Sequence, residues 1–158
     1  MNKTTALIII AALFLILLTM EINLNGSGFT EKDAANGIKE VSKRYGQKMA
    51  KIVEQVLRLE TANFQSAQFK HTGSAGMEAG SWGKYIPKSA TDGIYKAKDN
   101  STGVIKNFIV WRSCTDFCIF LAEYINRHNG NYANWNSTEP AKQQAYRTAV
   151  EKINTKYA

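Results

Sequence analysis

At 158 residues the chain has room for one modest globular domain and one appendage. Its 20 basic against 13 acidic side chains leave a net charge of +7, spread without a dense run. That excess suits nucleic acid, anionic lipid or the acidic polymers of a bacterial wall and selects none of them. The chain has no Arg/Lys-rich helix, aromatic ribonucleoprotein motif or zinc-finger spacing, so nucleic acid is not expected. His71 and His128 lack companion ligands, and neither a metal nor a cofactor is implied.

Residues 5–20 are almost wholly aliphatic, and extension through Ile22 and Leu24 approaches the about 20 residues that cross a bilayer. Thr19-Met20-Glu21-Ile22-Asn23 offers no small-x-small cleavage site, which favours an uncleaved transmembrane anchor over residues 1–22 rather than a removed signal. Lys3 before the run and Glu21 after it orient the rest of the chain outward, to the periplasm or outer face. Asn23-Leu24-Asn25-Gly26-Ser27-Gly28 opens a flexible linker over residues 23–32, and the folded domain is expected over 33–158.

Thr30 and Asp33 form an N-cap signal for a helix that runs to about Tyr45, with Ile38, Val41 and Tyr45 inward, before Gly46 breaks it. A second helix is predicted over residues 47–61. Met49, Ile52, Val53, Val56, Leu57 and then Glu60 share its apolar side, while Lys48, Lys51, Glu54, Gln55 and Arg58 fall off that side. A carboxylate carried inward at a helix C-terminus is disfavoured as an anion by desolvation and by the helix dipole, so its pKa should rise, as a general acid requires. The plainer reading is a helix-ending Glu60 with its head in water.

The polar, glycine-bearing stretch to Gly83 reads as loop or short turns. Two β-prone runs, 94–97 and 104–110, flank Asp99-Asn100-Ser101-Thr102-Gly103 as a hairpin would. A helix over residues 113–128 should bury Phe117, Leu121, Tyr124 and Ile125 and stop at Asn129-Gly130. Cys114 and Cys118, one turn apart on it, read as buried thiols, because that spacing meets disulfide geometry poorly. Ser137 or Thr138 would cap a last helix, with Pro140 in its first turn and Ala145, Ala149, Val150 and Ile153 inward. The sum is an α+β domain, mostly helical with one hairpin.

The segment from Glu60 to Met77 resembles the glucosaminidase family of peptidoglycan hydrolases, the flagellar-rod muramidase and autolysin type within the lysozyme-like superfamily. Glu60, Thr61, Phe64 or Asn63, Ser66, Phe69, Gly76 and Met77 fall at the family's spacing. The family's Asn-Asn pair is replaced by Thr72-Gly73 or Gly73-Ser74, and Glu78 stands where a Lys is usual. Gly73-Ser74-Ala75-Gly76-Met77 is also similar to a turn of lytic transglycosylases, a neighbouring branch. Trp111-Arg112-Ser113 with Asp116-Phe117, and Asn131-Tyr132-Ala133, extend the likeness less specifically, over about residues 33–157.

The resemblance implies a lysozyme-like fold with a small β lobe and a glycosidase acting on the N-acetylglucosamine/N-acetylmuramic acid strand of peptidoglycan. Glu60 would be its general acid. Asp99 compares with the family's β-lobe carboxylate, Asp92 is a second choice, and Glu78 lies nearer the motif. Phe64, Ser66, Gly76, Met77 and Tyr132 are the implied substrate contacts; Tyr95 joins them as one of the aromatics, with Trp82, Tyr85, Trp111 and Trp135, whose flat rings can stack on pyranose faces. A second carboxylate is not obligatory, since the substrate's acetamido group can attack the anomeric carbon, or a single Glu can act first as acid and then as base, releasing an anhydro sugar. The altered motif positions also admit a non-catalytic wall-binding or adaptor module of the same fold. A compact lytic domain on one span suits a bacteriophage virion membrane as well as a cell.

Overall fold

A computed structural model describes residues 28–99 and 103–158. Helix α1, Glu31–Tyr45, starts at a complete capping box. Thr30 Oγ1 accepts from the Asp33 amide while Asp33 Oδ2 accepts from the Thr30 amide at 2.8 Å, satisfying two donors that a helix start otherwise leaves open. The domain begins before residue 33: the Phe29 amide donates to the Lys70 carbonyl at 2.9 Å, and its ring lies where a Cβ on Gly73 would sit. Residues 29–32 therefore belong to the folded body rather than to a tether. The expected anchor over residues 1–22, and the linker up to residue 27, lie outside the described residues. Among the described residues no helix is long and apolar enough to cross a membrane.

Helix α2, Gln47–Glu60, follows a one-residue break at Gly46 and ends at Glu60. Two short helices then interrupt the expected loop, α3 over Ala67–Thr72, capped by Ser66, and α4 over Ala79–Trp82. Single 3-10 turns at Gly83–Tyr85 and Lys88–Ala90 lead to strand β1, Thr91–Lys98, paired antiparallel with β2, Ile105–Trp111. Helix α5, Cys114–Arg127, is capped by Ser113, and after a turn at Tyr132–Trp135 helix α6, Pro140–Glu151, completes the set. The architecture is α+β, mostly helical with a two-stranded antiparallel hairpin.

Helix α1 packs between α2 and α5, and α6 lies on α2. The core joins Ile38, Val41, Val53, Leu57, Phe69, Met77, Leu121 and Ile125. Around Trp111, rings of Phe117 and Phe120 approach at 5.5 and 5.3 Å, a favourable tilted packing of aromatic quadrupoles. Cys114 and Cys118 are free, buried thiols facing α1. The Cys114 thiol is pushed well up by its hydrogen bond to Cys118 and by burial.

The approach of α1 to α5 depends on a residue without a side chain. A Cβ on Gly37 would meet Cys118 Sγ at 2.7 Å and the Cys114 carbonyl oxygen at 3.1 Å. Gly37→Ala should therefore destabilise the domain by roughly 1–2 kcal/mol, overpacking outweighing the better helix propensity of Ala. Cys118→Ala in the same chain should restore part of that loss. Denaturant midpoints of the two single variants and the double variant measure both effects, and a Gly37→Ala chain more stable than its parent would refute the clash.

Three expectations about faces are corrected. Glu54 and Gln55 lie inside rather than off the core side, Glu54 with no exposed surface. On α6 the inward residue is Tyr146, and Ala145 is exposed. Ile153 lies beyond the end of α6, where its carbonyl accepts from Gln55 Nε2 at 2.9 Å. The start of α6 also differs: Glu139 holds the cap position without a side-chain bond to the helix amides, and Ser137 Oγ accepts from the Glu139 amide at 3.1 Å.

Candidate active site

Helix α2 delivers Glu60 at its last turn, and the chain then makes an unusual bend. Ala62, Asn63 and Phe64 all have positive φ, 49°, 55° and 67°. Each non-glycine residue in that region costs about 1–2 kcal/mol, so neighbouring bonds must hold the bend. Thr61 supplies them: its Oγ1 donates to the Leu57 carbonyl at 2.6 Å and accepts from the Phe64 amide at 2.9 Å, and its carbonyl accepts from the Gln65 and Ser66 amides. The bend turns Phe64 into the core and brings Ala62 and Ser66 beside Glu60. Backbone strain of this kind, next to an ionisable residue in a groove, is characteristic of functional sites.

The groove encloses about 670 Å³. One wall is the end of α2 with the bend and the start of α3, including Glu60, Ala62, Ser66 and Gln68. The opposite wall is the hairpin, which contributes Tyr95, Ala97, Asp99 and Phe108. Cross-strand pairing of Tyr95 with Phe108 puts the two rings on the same face. His71 stacks on Tyr95 with ring centroids 4.4 Å apart and planes 18° apart, which fixes the Tyr95 ring on the groove side. Gly76, at φ 77°, closes one end: a Cβ there would come within 2.7 Å of the Gln68 amide group.

Tyr146, from the far end of the sequence, donates its hydroxyl to Glu60 Oε1 at 2.6 Å. The Glu60 pKa is raised; desolvation by surrounding protein is the leading cause, and the Tyr146 bond pulls the other way. The residue as a whole is nevertheless exposed. The two facts fit a carboxyl crowded by protein yet open to solvent along the groove, where water moderates the rise without reversing it. Burial and the Glu60 charge push the Tyr146 phenol far up, so it remains a protonated donor. Oε2 of Glu60 has no protein partner among the described residues and is the oxygen left to carry a proton.

Asp99 lies across the groove and is ion-paired with Lys106 at 3.2 Å; the same ammonium reaches Glu78 at 3.3 Å. Glu60, Ser66, Gly76, Tyr95 and Asp99 thus share one groove. The remaining candidates do not line it. A bulge between Thr91 and Gly93 sets Asp92 at the foot of the hairpin, exposed and 3.4 Å from Arg112. Phe64 and Met77 are 1 % exposed; the Phe64 ring lies under the Arg58 guanidinium, and the Met77 carbonyl accepts from Ile109. Their fit to the motif reflects packing. Tyr132 is half-buried behind the site, and its hydroxyl donates to Glu151 at 3.2 Å.

Tyr146, His71 and Gln68 escaped the sequence reading. Only a Tyr146/Val150 stripe, one residue out of register from Ala145/Ala149, marked the first of them. Among the described residues no cluster of His, Cys, Asp and Glu could hold a metal ion. No protein-family model, curated protein or solved structure matches the chain.

Proposed function

We propose that the chain is a lysozyme-like glycosidase that cuts the amino-sugar backbone of peptidoglycan, with Glu60 as general acid. One arrangement carries this reading: a carboxyl of raised pKa, open to a groove of about 670 Å³ whose opposite wall is a β-hairpin bearing a tyrosine and a second carboxylate. Protonated Glu60 gives its proton to the glycosidic oxygen as the bond to the anomeric carbon breaks. Tyr146, bonded to Oε1, holds the carboxyl in position through that transfer. The Tyr95 ring offers a flat apolar surface to a pyranose face, and Ser66 and Gln68 offer polar groups to acetamido substituents. The apolar run over residues 5–20 would tether the domain to a membrane facing the wall, in a cell or a phage particle.

The engagement of Asp99 favours a second version of the same chemistry. A carboxylate neutralised by Lys106 is a poor partner for positive charge at the anomeric carbon. That speaks for the acetamido group as internal nucleophile, or for Glu60 alone acting as acid and then base, as in a lytic transglycosylase. Mass spectrometry of fragments released from purified sacculi by the full chain separates the outcomes. A reducing-end product is expected from hydrolysis and an anhydro-muramyl product from transglycosylation. Binding to sacculi without soluble fragments would leave a non-catalytic wall module instead.

A further inference from the structure

A second concavity lies apart from the Glu60 groove and shares no lining residue with it. It encloses about 600 Å³ and is formed by Trp82, Tyr85, Phe120, Tyr124, Arg127 and His128. Its origin is the junction of α4 with the C-terminal half of α5. Trp82 inserts edge-on against Phe120 and Tyr124, with centroids at 6.2 and 5.5 Å and planes at 81° and 66°. Tyr85 stands over the same indole at 6.4 Å and 70° and is 61 % exposed. A tyrosine this exposed is held there by the turn at Gly83–Tyr85 and not by burial.

The rim is cationic. The Arg127 side chain is 58 % exposed, and its ion-pair partner among the described residues, Glu123, is 3.9 Å away, at the limit of such a pair. His128 closes the other side, its Nδ1 2.8 Å from the Tyr124 carbonyl oxygen. The Lys84 ammonium lies 4.9 Å from the Tyr85 ring centre. No acidic side chain lines the hollow.

Aromatic walls with a basic rim select a ligand that has both a C–H-rich face and an anionic group. Ring orientation narrows the class further. Trp135 packs on Trp82 at 4.9 Å and 31° but does not line the hollow; the lining rings Tyr85, Phe120 and Tyr124 meet Trp82 at 66° to 81°, a corner and not a parallel slot for a flat nucleobase. A puckered pyranose can set its C–H face on Tyr85 while a carboxylate on the ring reaches Arg127.

We propose that this hollow is a second saccharide site, for a pyranose carrying a carboxylate, which holds an acidic glycan at a distance from the Glu60 groove; the identification of that sugar as muramic acid, and of the glycan as cell wall, rests on the function proposed above. The site would supply retention on the wall without belonging to the cutting machinery.

The test uses the full chain in detergent, carrying Glu60→Gln so that ligand survives the titration. The probes are an alternating N-acetylglucosamine/N-acetylmuramic acid tetrasaccharide and the neutral chitin tetrasaccharide, followed by the indole NMR signals. Tyr85→Ala and Arg127→Gln both alter exposed side chains and should leave the fold intact, as the unaffected indole signals of Trp111 would verify. Each should weaken the acidic tetrasaccharide roughly tenfold, the loss of one good contact. Arg127→Gln should leave the neutral ligand unaffected. Equal affinity of parent and both variants for the acidic ligand would overturn the proposal, as would tighter binding of a short single-stranded oligonucleotide through the same residues. In chains that retain Glu60, Tyr85→Ala should release fragments from soluble oligosaccharides at the parental rate. A chain that cleaves nothing yet loses binding on Tyr85→Ala would refute the glycosidase reading and keep this site.

Discussion

Glu60→Gln is expected to abolish fragment release from peptidoglycan, lowering the rate by about 10²–10⁴-fold, the range for removal of a general acid. The protein should lose no stability in the exchange. A carboxyl whose pKa is raised in the folded state contributes stability that is complete below its unfolded pKa and is lost as pH rises through the folded one. Once the pH is high enough to ionise Glu60, its charge in the crowded groove therefore works against folding. Glutamine, uncharged and able to accept from Tyr146, does not. The thermal midpoint at neutral pH should hold or rise slightly, so an inactive Glu60→Gln chain cannot be dismissed as unfolded. Tyr146→Phe gives the complementary result. Without the donor that pulls the Glu60 pKa down, that pKa rises further, and the alkaline limb of kcat/KM moves to higher pH. A tyrosine that only filled space would lower the whole profile without moving the limb. Undiminished clearing by Glu60→Gln, or an unmoved limb in Tyr146→Phe, would take these residues out of the chemistry.

What could be read from the sequence was what short spacing encodes. Thr30 with Asp33, the break at Gly46, the stop at Asn129-Gly130 and the two β-prone runs each carry their instruction within a few residues, and the helices and hairpin appear where those signals set them. Glu60 was visible for the same reason, as a carboxylate that interrupts an apolar stripe. Its surroundings were not visible, because they come from elsewhere in the chain. Tyr146 reaches it from 86 positions away, and a shift of one residue decides whether Tyr146 or Ala145 points inward. Asp92 and Asp99 are both turn-type acids on one hairpin. A bulge that a residue pattern does not announce sends the first outward, while the second lines the groove. At Phe64 and Met77 the motif matched by spacing, yet both residues are core. Spacing fixes their place along the chain and leaves open whether they face substrate or interior.

The largest loss of stability should come from Glu54, whose helical position promised an exposed side chain. Its Oε1 accepts from Arg58 Nε at 2.8 Å and from the Lys156 amide at 2.8 Å. Its Oε2 accepts from the amides of Tyr157 and Ala158, each at 2.9 Å. A buried carboxylate is tolerable only when its oxygens are bonded in this way and a cation lies beside it. Glu54→Ala would leave the Arg58 guanidinium, whose side chain is 10 % exposed, with the longer 3.7 Å approach to Glu31, and would strand the three amides of the C-terminal segment. The expected cost is about 3–5 kcal/mol, a fall in thermal midpoint of roughly 10 °C or more for a domain of this size. The segment runs from the end of α6 onto α2, so it also ties the helix that carries Tyr146 to the helix that ends in Glu60. Deleting residues 153–158 should therefore destabilise the domain about as much as Glu54→Ala, and the double change should cost much less than the sum, because both break the same contact. A loss below about 1 kcal/mol for Glu54→Ala, or full additivity with the deletion, would mean that the carboxylate is satisfied by water and that the two helices are held together by apolar packing alone.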